Sequence, residues 1–159
     1  MKNNIKLLDG SMSYPLELDG YNLNNRLWTG DALINNPELI KKIHKGYINS
    51  GADYLLTSTY QISYDILREK GIHSEEIKEV FQKSLDLAKE AIIEANTKKD
   101  IKVVASLGPF ASYKKSASEY VGIYDSTDDD IYNFHTNNLN VIKEIDYEII
   151  LYETIPSLR

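Results

Sequence analysis

The chain has 159 residues, of which 42% are hydrophobic and 26% are charged, and its formal net charge is −6. This length suits one ordinary domain with a core, and the composition is that of a globular protein rather than a disordered one. The negative charge argues against nucleic acid or an anionic membrane surface as a main partner, since both attract clustered Lys and Arg. No apolar run approaches the roughly 18 residues that span a bilayer, and no secretory signal pattern begins the chain. We therefore predict a cytoplasmic protein.

Four short apolar runs, each followed by polar residues, predict four β-strands along the chain. They lie at residues 5–8, 54–56, 101–105 and 149–151. Helical segments separate them, and an alternation of strands and helices indicates a parallel sheet. Between the first strand and the first helix, residues 11–29 have no clear period and predict a long loop, which in a compact domain is usually functional.

Three longer segments have the periodicity and the end signals of helices. In the first, Asn36 is the predicted N-cap and Pro37 is the first helical residue. The second is predicted to be capped by Ser74, and the third by Ser126 or Thr127. The predicted apolar stripe of the third helix comprises Ile131, Phe134, Leu139, Val141 or Ile142, and Ile145.

The sequence contains no cysteine and three histidines. A disulfide framework and a thiolate nucleophile are therefore excluded, and no metal site can take sulfur from this chain. The spacing of His44, His73 and His135 matches no histidine metal motif. We predict that His44 is structural and that His73 is exposed at a helix entry.

Each predicted strand ends in a polar side chain. In chain order these are Asp9, Thr57, Ser106 and Glu153. Ligands bind at the carboxyl ends of the strands in open α/β sheets and in (β/α)₈ barrels. We therefore expect these four side chains to converge on one rim.

Asp9 and Glu153 are the sharpest candidate pair, because each follows an apolar strand and both are expected at the same rim. Two carboxylates facing a pocket can hold an ammonium group, bind a metal or act as acid and base. In the competing structural interpretation, Asp9 caps the turn at Gly10 and Glu153 makes an ordinary ion pair. Spacing alone does not decide between the two.

Two further segments are candidates for the same pocket. Backbone N–H groups at Gly10 and Ser11 can grip the carboxylate of a zwitterion, although a plain glycine turn is the simpler interpretation. Tyr120 and Tyr124 lie on a polar loop, where they either line or close a pocket or pack at the surface.

Six motifs occur in an order and spacing that resemble the homocysteine S-methyltransferase family, with the bacterial and plant enzymes that use S-methylmethionine or S-adenosylmethionine looking closest. The resemblance covers essentially the whole chain. It implies a (β/α)₈ TIM barrel about twice this length, in which residues 1–159 form about the first four βα units, a half-barrel. The motifs are "LLDGSM", "LWTGDALINNPELIKKIHKGYINSGADYLLTSTYQ", "SLGPF", "SEYVGIY", "FHTNNL" and "LYETIPS".

The resemblance also implies a reaction and a site. The family transfers a methyl group from a sulfonium or ammonium donor to the thiol of homocysteine, giving methionine, and uses a zinc ion held by three cysteines to bind the thiolate. Carried over by motif, Asp9 and Glu153 would hold the amino group of homocysteine, with the Gly10 and Ser11 backbone near its carboxylate. The segments "TSTYQ" (residues 57–61) and "SLGPF" (residues 106–110), with Thr57 and Ser106, would shape the pocket wall, and Tyr120 or Tyr124 would face the methyl donor.

The missing cysteines are a large departure from the family pattern. We therefore expect that the zinc-binding second half of the barrel is absent, and that this chain alone neither binds catalytic zinc nor transfers methyl groups. Open edges would make the half-barrel associate with itself or with the missing half. Two alternatives stay open: a cysteine-free binding or assembly module, and an unrelated enzyme that uses Asp9 and Glu153 as a metal-independent acid–base pair.

Overall fold

The computed structural model describes residues 5–114, 120–123 and 125–157. Helices and strands alternate through most of these residues, as the sequence predicts for an α/β protein. The elements in chain order are α1 (Ser13–Leu18), α2 (Thr29–Asn35), α3 (Pro37–Asn49), β1 (Tyr54–Leu56), α4 (Tyr64–Glu69), α5 (Ser74–Glu94), β2 (Lys102–Leu107), α6 (Phe110–Lys114), α7 (Asp128–Ile142) and β3 (Ile149–Tyr152). No helix in the described ranges is both long and apolar enough to cross a membrane.

The three strands form one parallel sheet in the order β1-β2-β3. Leu55 pairs with Val103, and Ala105 pairs with Ile150, so β2 is the central strand. The last four residues of β2 are all buried, as expected for a strand with neighbours on both sides. The predicted parallel arrangement of residues 54–56, 101–105 and 149–151 is therefore confirmed.

The predicted first strand, residues 5–8, is reduced to a single parallel bridge between Leu8 and Tyr54. The segment still runs beside β1, because the carbonyl oxygen of Leu7 accepts hydrogen bonds from the backbone N–H groups of Asp53 and Tyr54, at 2.7 and 3.1 Å. However, Ile5, Leu7 and Leu8 are 73%, 51% and 49% exposed. Because these apolar side chains are not packed, the segment forms one bridge to β1 rather than a full β-strand.

The loop predicted at residues 11–29 contains helix α1, and α2 begins at its last residue. Helices α4 and α6, in segments without a predicted helix, were also missed. Each of these helices has five to seven residues, too few for a clear helical period in the sequence. Tertiary burial of residues such as Leu16, which is fully buried, stabilises them instead.

The starts of the three longer helices are correct, but not all of their predicted caps are. Asn36 precedes α3 without making a side-chain cap. His73, which is exposed as predicted, is the N-cap of α5, and its backbone N–H donates to the Glu76 carboxylate at 3.0 Å. Ser74 is hydrogen-bonded to the hydroxyl of Tyr64 instead. The prediction for α7 is confirmed, because Thr127 Oγ1 accepts from the backbone N–H of Asp130 at 3.2 Å.

Helices α3 and α5 provide much of the core, in which Ile40 and Phe81 are fully buried. His44 is also fully buried in α3, consistent with a structural role. On α7, Leu139 is 39% exposed and its neighbour Asn138 is buried. The buried face of α7 therefore contains a polar side chain that the predicted apolar stripe did not include.

Candidate functional site

A cavity of about 390 Å³ opens at the carboxyl ends of the strands. Its wall contains residues from the segment before α1, from the end of β2 and from the segments that follow β1 and β3, so the predicted polar rim is present. Seven of the eight predicted site residues line it, namely Asp9, Gly10, Ser11, Thr57, Ser106, Tyr120 and Glu153. Tyr124 lies outside the described residues. Tyr120 is 77% exposed and lies at the surface of the cavity wall.

Asp9 is held at this rim by β1. Its backbone N–H donates to the carbonyl oxygen of Tyr54, and its Oδ2 accepts from the backbone N–H of Leu56, both at 3.0 Å. The carboxylate thus contacts a neighbouring strand rather than capping the turn at Gly10. Its second oxygen, Oδ1, is buried and has no hydrogen-bond partner in the part of the chain that the structure describes.

Burial raises the pKa of Asp9 to about 7, although the hydrogen bond from Leu56 opposes this change. The negative charge of Glu153 raises the pKa of Asp9 further. A carboxyl group with this pKa changes its charge near neutral pH. An approaching cation would favour its ionised form, so the site is electrostatically suited to an ammonium group.

Glu153 follows the last strand at the same rim. Its backbone N–H donates to the carbonyl oxygen of Leu107 at 3.1 Å, which continues the ladder between β2 and β3. The hydroxyl of Ser106 donates a short hydrogen bond to Glu153 Oε1. Among the described residues, its carboxylate therefore has a neutral partner rather than the cation that the ion-pair interpretation required.

The hydroxyl of Thr57 belongs to a buried hydrogen-bond network at the ends of β1 and β2. Thr57 Oγ1 accepts from the backbone N–H of Ser106 at 3.1 Å and lies 2.7 Å from Thr59 Oγ1. Thr59 Oγ1 in turn donates to the carbonyl oxygen of Ser106 at 2.7 Å. These buried bonds join the ends of β1 and β2, and they fix the backbone from which Ser106 contacts Glu153.

The turn after β2 depends on a glycine at residue 108. A Cβ atom at Gly108 would lie 2.4 Å from the carbonyl oxygen of Tyr60. This separation is below any normal non-bonded contact, and the neighbouring atom belongs to the backbone. The loop after β1 and the turn after β2 can therefore approach each other closely only because residue 108 has no side chain.

Tyr47 on α3 is a contributor that the sequence prediction missed. Its hydroxyl donates to the carbonyl oxygen of Ser11 at 2.7 Å, and a Cβ atom at Gly10 would lie 3.0 Å from the same hydroxyl. Burial, and then the negative charge of Asp9, raise the pKa of Tyr47. The position of Tyr47 on the apolar face of a predicted helix gave no signal beyond core packing.

Several other lining residues were absent from the predicted site. Trp28 and Thr154 adopt positive φ angles of 49° and 56°, which are uncommon for residues other than glycine and often occur at functional sites. Trp28 is also the single tryptophan of the chain. The remaining lining residues of this group are Leu8, Met12, Ser13, Thr29 and Leu56, whereas Ser58 and Tyr60 belong to the segment 57–61 that the resemblance places in the pocket wall.

The residues of this chain do not fit a zinc centre of the three-cysteine type. The sequence has no cysteine. Among the described residues, no group of three or more His, Asp or Glu side chains is placed to hold a metal ion. The described part of the cavity wall offers two carboxylates, those of Asp9 and Glu153, which are harder ligands than those zinc usually takes in a structural or thiol-binding site.

The chain is similar in sequence to known proteins. A family model described as homocysteine S-methyltransferase matches residues 6–159. Homocysteine S-methyltransferase YbgG of Bacillus subtilis is 34% identical over 160 residues, covering 96% of this chain and 50% of that protein. Homocysteine S-methyltransferase 1 of Arabidopsis thaliana is 34% identical over 162 residues, covering 95% of this chain and 50% of that protein.

The fold is also similar to a solved structure. The crystal structure of the homocysteine methyltransferase MmuM from Escherichia coli, in its metallated form, matches with a TM-score of 0.87 and 31% sequence identity. The match covers 98% of this chain and 56% of that one, and the chain spans about half the length of the curated relatives it matches. Sequence and fold therefore agree over nearly every residue: the chain belongs to the homocysteine S-methyltransferase family.

Proposed function

We propose that this chain carries the amino-acid-binding part of a homocysteine S-methyltransferase. The whole protein would transfer a methyl group from S-methylmethionine or S-adenosylmethionine to the thiol of homocysteine, giving methionine. One observation carries the proposal: a buried Asp9 oxygen without a described partner lies in the wall of a cavity that Glu153 also lines. Membership of the family supplies the reaction, and this pair supplies a place for the substrate.

In this proposal the α-ammonium group of homocysteine binds between Asp9 and Glu153. The ammonium group has three N–H donors. Asp9 Oδ1, which has no described partner, can accept one of these hydrogen bonds. A charge-assisted hydrogen bond to this oxygen would offset the cost of burying it. The substrate carboxylate would lie against the backbone of Gly10 and Ser11, which Tyr47 holds in place.

The same reasoning extends to the fold of the whole protein. We propose that residues 1–159 form about the first four βα units of a (β/α)₈ barrel, with residues 5–8 in the position of the first strand. The parallel bridge from Leu8 to β1 supports this proposal, as does the cavity at the carboxyl ends of the strands. The exposed apolar side chains of residues 5–8 are those that a completed barrel would cover.

Because the residues of this chain do not fit zinc, we propose that any zinc centre of the whole protein is built from other residues. The role of this chain is then to bind and orient the amino-acid end of the substrate. We infer that the isolated chain does not catalyse methyl transfer. Its cytoplasmic location remains a prediction from the sequence.

Ligand titration tests the proposal directly. We expect L-homocysteine to shift the amide resonances of residues around the cavity, and Asp9→Asn or Glu153→Gln to weaken its binding about tenfold or more. Glu79→Gln is the matched control, because Glu79 is exposed on α5 away from the cavity. Equal affinities in the wild type and in both cavity variants would contradict the proposed function.

A further inference from the structure

We propose that Ser58 is a further substrate-binding residue, and that its hydroxyl donates a hydrogen bond to the carboxylate of the amino-acid substrate. This inference rests on the proposed function, because it assumes that an amino acid occupies the cavity with its ammonium group at Asp9 and Glu153. Ser58 would thus provide specificity for the carboxylate end of the amino-acid substrate.

The hydroxyl of Ser58 has an unusual environment. Ser58 is 4% exposed and lines the cavity, and its Oγ has no hydrogen-bond partner among the described residues. The hydroxyls on either side of it, those of Thr57 and Thr59, are both hydrogen-bonded within the protein. A buried hydroxyl without a partner is costly in free energy. We infer that the partner of Ser58 is a ligand.

The chemistry of the cavity wall indicates which ligand group this is. A hydroxyl both donates and accepts, but the cavity already has two carboxylates, Asp9 and Glu153, as acceptors for an ammonium group. Its described lining residues include no Lys, Arg or His. A substrate carboxylate must therefore be bound by neutral donors, and the buried Ser58 hydroxyl, which has no described partner, is such a donor. The hydroxyls of Ser11 and Ser13 lie 2.7 Å apart, so one of their two O–H groups donates to the other.

Ser58 is also in a suitable position along the chain. It lies two residues after Leu56, the last residue of β1, whose backbone N–H donates to Asp9 Oδ2. Asp9, the proposed amine contact, and Ser58, the proposed carboxylate contact, therefore lie on adjacent segments that the hydrogen bond from Leu56 to Asp9 connects. An α-amino acid presents its two charged groups on the same carbon atom, so its binding needs two such neighbouring contacts.

A comparison of two ligands tests the assignment. L-homocysteine and 3-aminopropane-1-thiol share the amine, the carbon chain and the thiol, but only the first has a carboxylate. We expect Ser58→Ala to weaken the binding of L-homocysteine about tenfold and that of 3-aminopropane-1-thiol less than twofold. Asp9→Asn should weaken the binding of both ligands, because both have the amine. Ser50→Ala, at the exposed end of α3, is the matched control.

A stability measurement separates ligand binding from a structural role. Removing a buried hydroxyl that has no partner should leave the unfolding midpoint of the free Ser58→Ala variant unchanged or raise it. A lowered midpoint would show a structural bond and would overturn the inference. Unchanged homocysteine affinity in Ser58→Ala, or an equal loss for both ligands, would also overturn it. If Asp9→Asn still weakens both ligands in that case, the proposed function stands. If the wild type binds neither ligand, both proposals fail.

Discussion

The hydroxyl of Tyr47 donates a hydrogen bond of 2.7 Å to the carbonyl oxygen of Ser11. This bond joins helix α3 to the turn that follows Asp9, and the ring of Tyr47 occupies the space beside Gly10 that a side chain would need. The turn is thus attached on one side to α3 and on the other to β1, where Leu56 holds the Asp9 carboxylate. These two attachments position the turn, which follows a segment with exposed apolar side chains.

The first prediction concerns this attachment. Tyr47→Phe removes the bond to Ser11 and keeps the ring, so we expect a loss of about 1 kcal/mol of unfolding free energy. We also expect weaker homocysteine binding, because the turn that follows Asp9 becomes more mobile. Urea denaturation and ligand titration measure the two effects. Tyr14→Phe, at a residue that is 64% exposed, is the control and should change neither. A Tyr47→Phe variant with wild-type affinity would show that Tyr47 does not position the site.

The second prediction concerns the close approach at Gly108. Gly108→Ala places a methyl group 2.4 Å from the Tyr60 carbonyl oxygen, so the two loops must separate. We expect a loss of about 1–3 kcal/mol of unfolding free energy. Gly46→Ala is the matched control, because a Cβ atom there meets nothing within 4 Å and the residue lies inside α3. That change should stabilise the protein by about 0.5–1 kcal/mol. Equal effects of the two substitutions on the unfolding free energy would argue against a tight contact at residue 108.

The third prediction is a pH dependence of stability that originates at Asp9. The pKa of Asp9 is raised from 3.8 to about 7 in the folded state, so between these values the folded protein binds more protons than the unfolded one. The contribution of Asp9 to stability is therefore fully present below about pH 4, and it is lost as the pH rises through about 7.

Asp9→Asn isolates this contribution. We expect the variant to be more stable than the wild type at pH 8, by about 2 kcal/mol after allowance for solvent screening, and to lose that advantage progressively as the pH falls to about 4. Urea denaturation at both pH values measures the difference. A wild type and variant whose difference in stability is the same at pH 4 and pH 8 would contradict a raised pKa at Asp9.

The fourth prediction concerns catalysis by the isolated chain. We expect no methionine formation from homocysteine with S-methylmethionine or S-adenosylmethionine, with or without added zinc. We also expect no stoichiometric zinc binding, because the chain has no cysteine and the described residues offer no metal cluster. A product assay together with a zinc titration checks both points. Turnover with one bound zinc per chain would refute this expectation. It would also refute the proposal that the zinc centre of the whole protein is built from residues outside this chain.

The fifth prediction concerns association. Ile150 on β3 and Ile155 after it are 43% and 45% exposed, and within the described residues β3 pairs with β2 alone. Such an edge is a template for further strand pairing. We propose that the isolated chain associates with itself in a concentration-dependent way, measurable by sedimentation velocity.

Charged substitutions test whether this edge is responsible. Ile150→Lys should weaken the association, because a lysine at a sheet edge disfavours pairing. Ile93→Lys is the control, since Ile93 is 76% exposed but lies on α5 rather than at the sheet edge. A wild-type chain that stays monomeric over the whole concentration range would contradict the prediction.

The sequence by itself determined the order of the main elements and the location of the rim. Apolar runs followed by polar residues located the three strands, and helical end signals located the starts of the longer helices. Because parallel strands all end at the same edge of a sheet, the residues that follow them had to converge. The convergence of Asp9, Thr57, Ser106 and Glu153 was therefore predictable without any knowledge of side-chain contacts.

Only the tertiary structure decided what each of these side chains does at the rim. It showed that Thr57 is occupied in a buried network while its neighbour Ser58 lacks a described partner, a distinction that two adjacent hydroxyl residues do not reveal in sequence. The contacts responsible join Asp9 to Leu56, Thr59 to Ser106 and Ser106 to Glu153, each across 47 residues of sequence. Local patterns report a few neighbouring residues, whereas burial, pKa and hydrogen-bond partners depend on groups brought together by the fold.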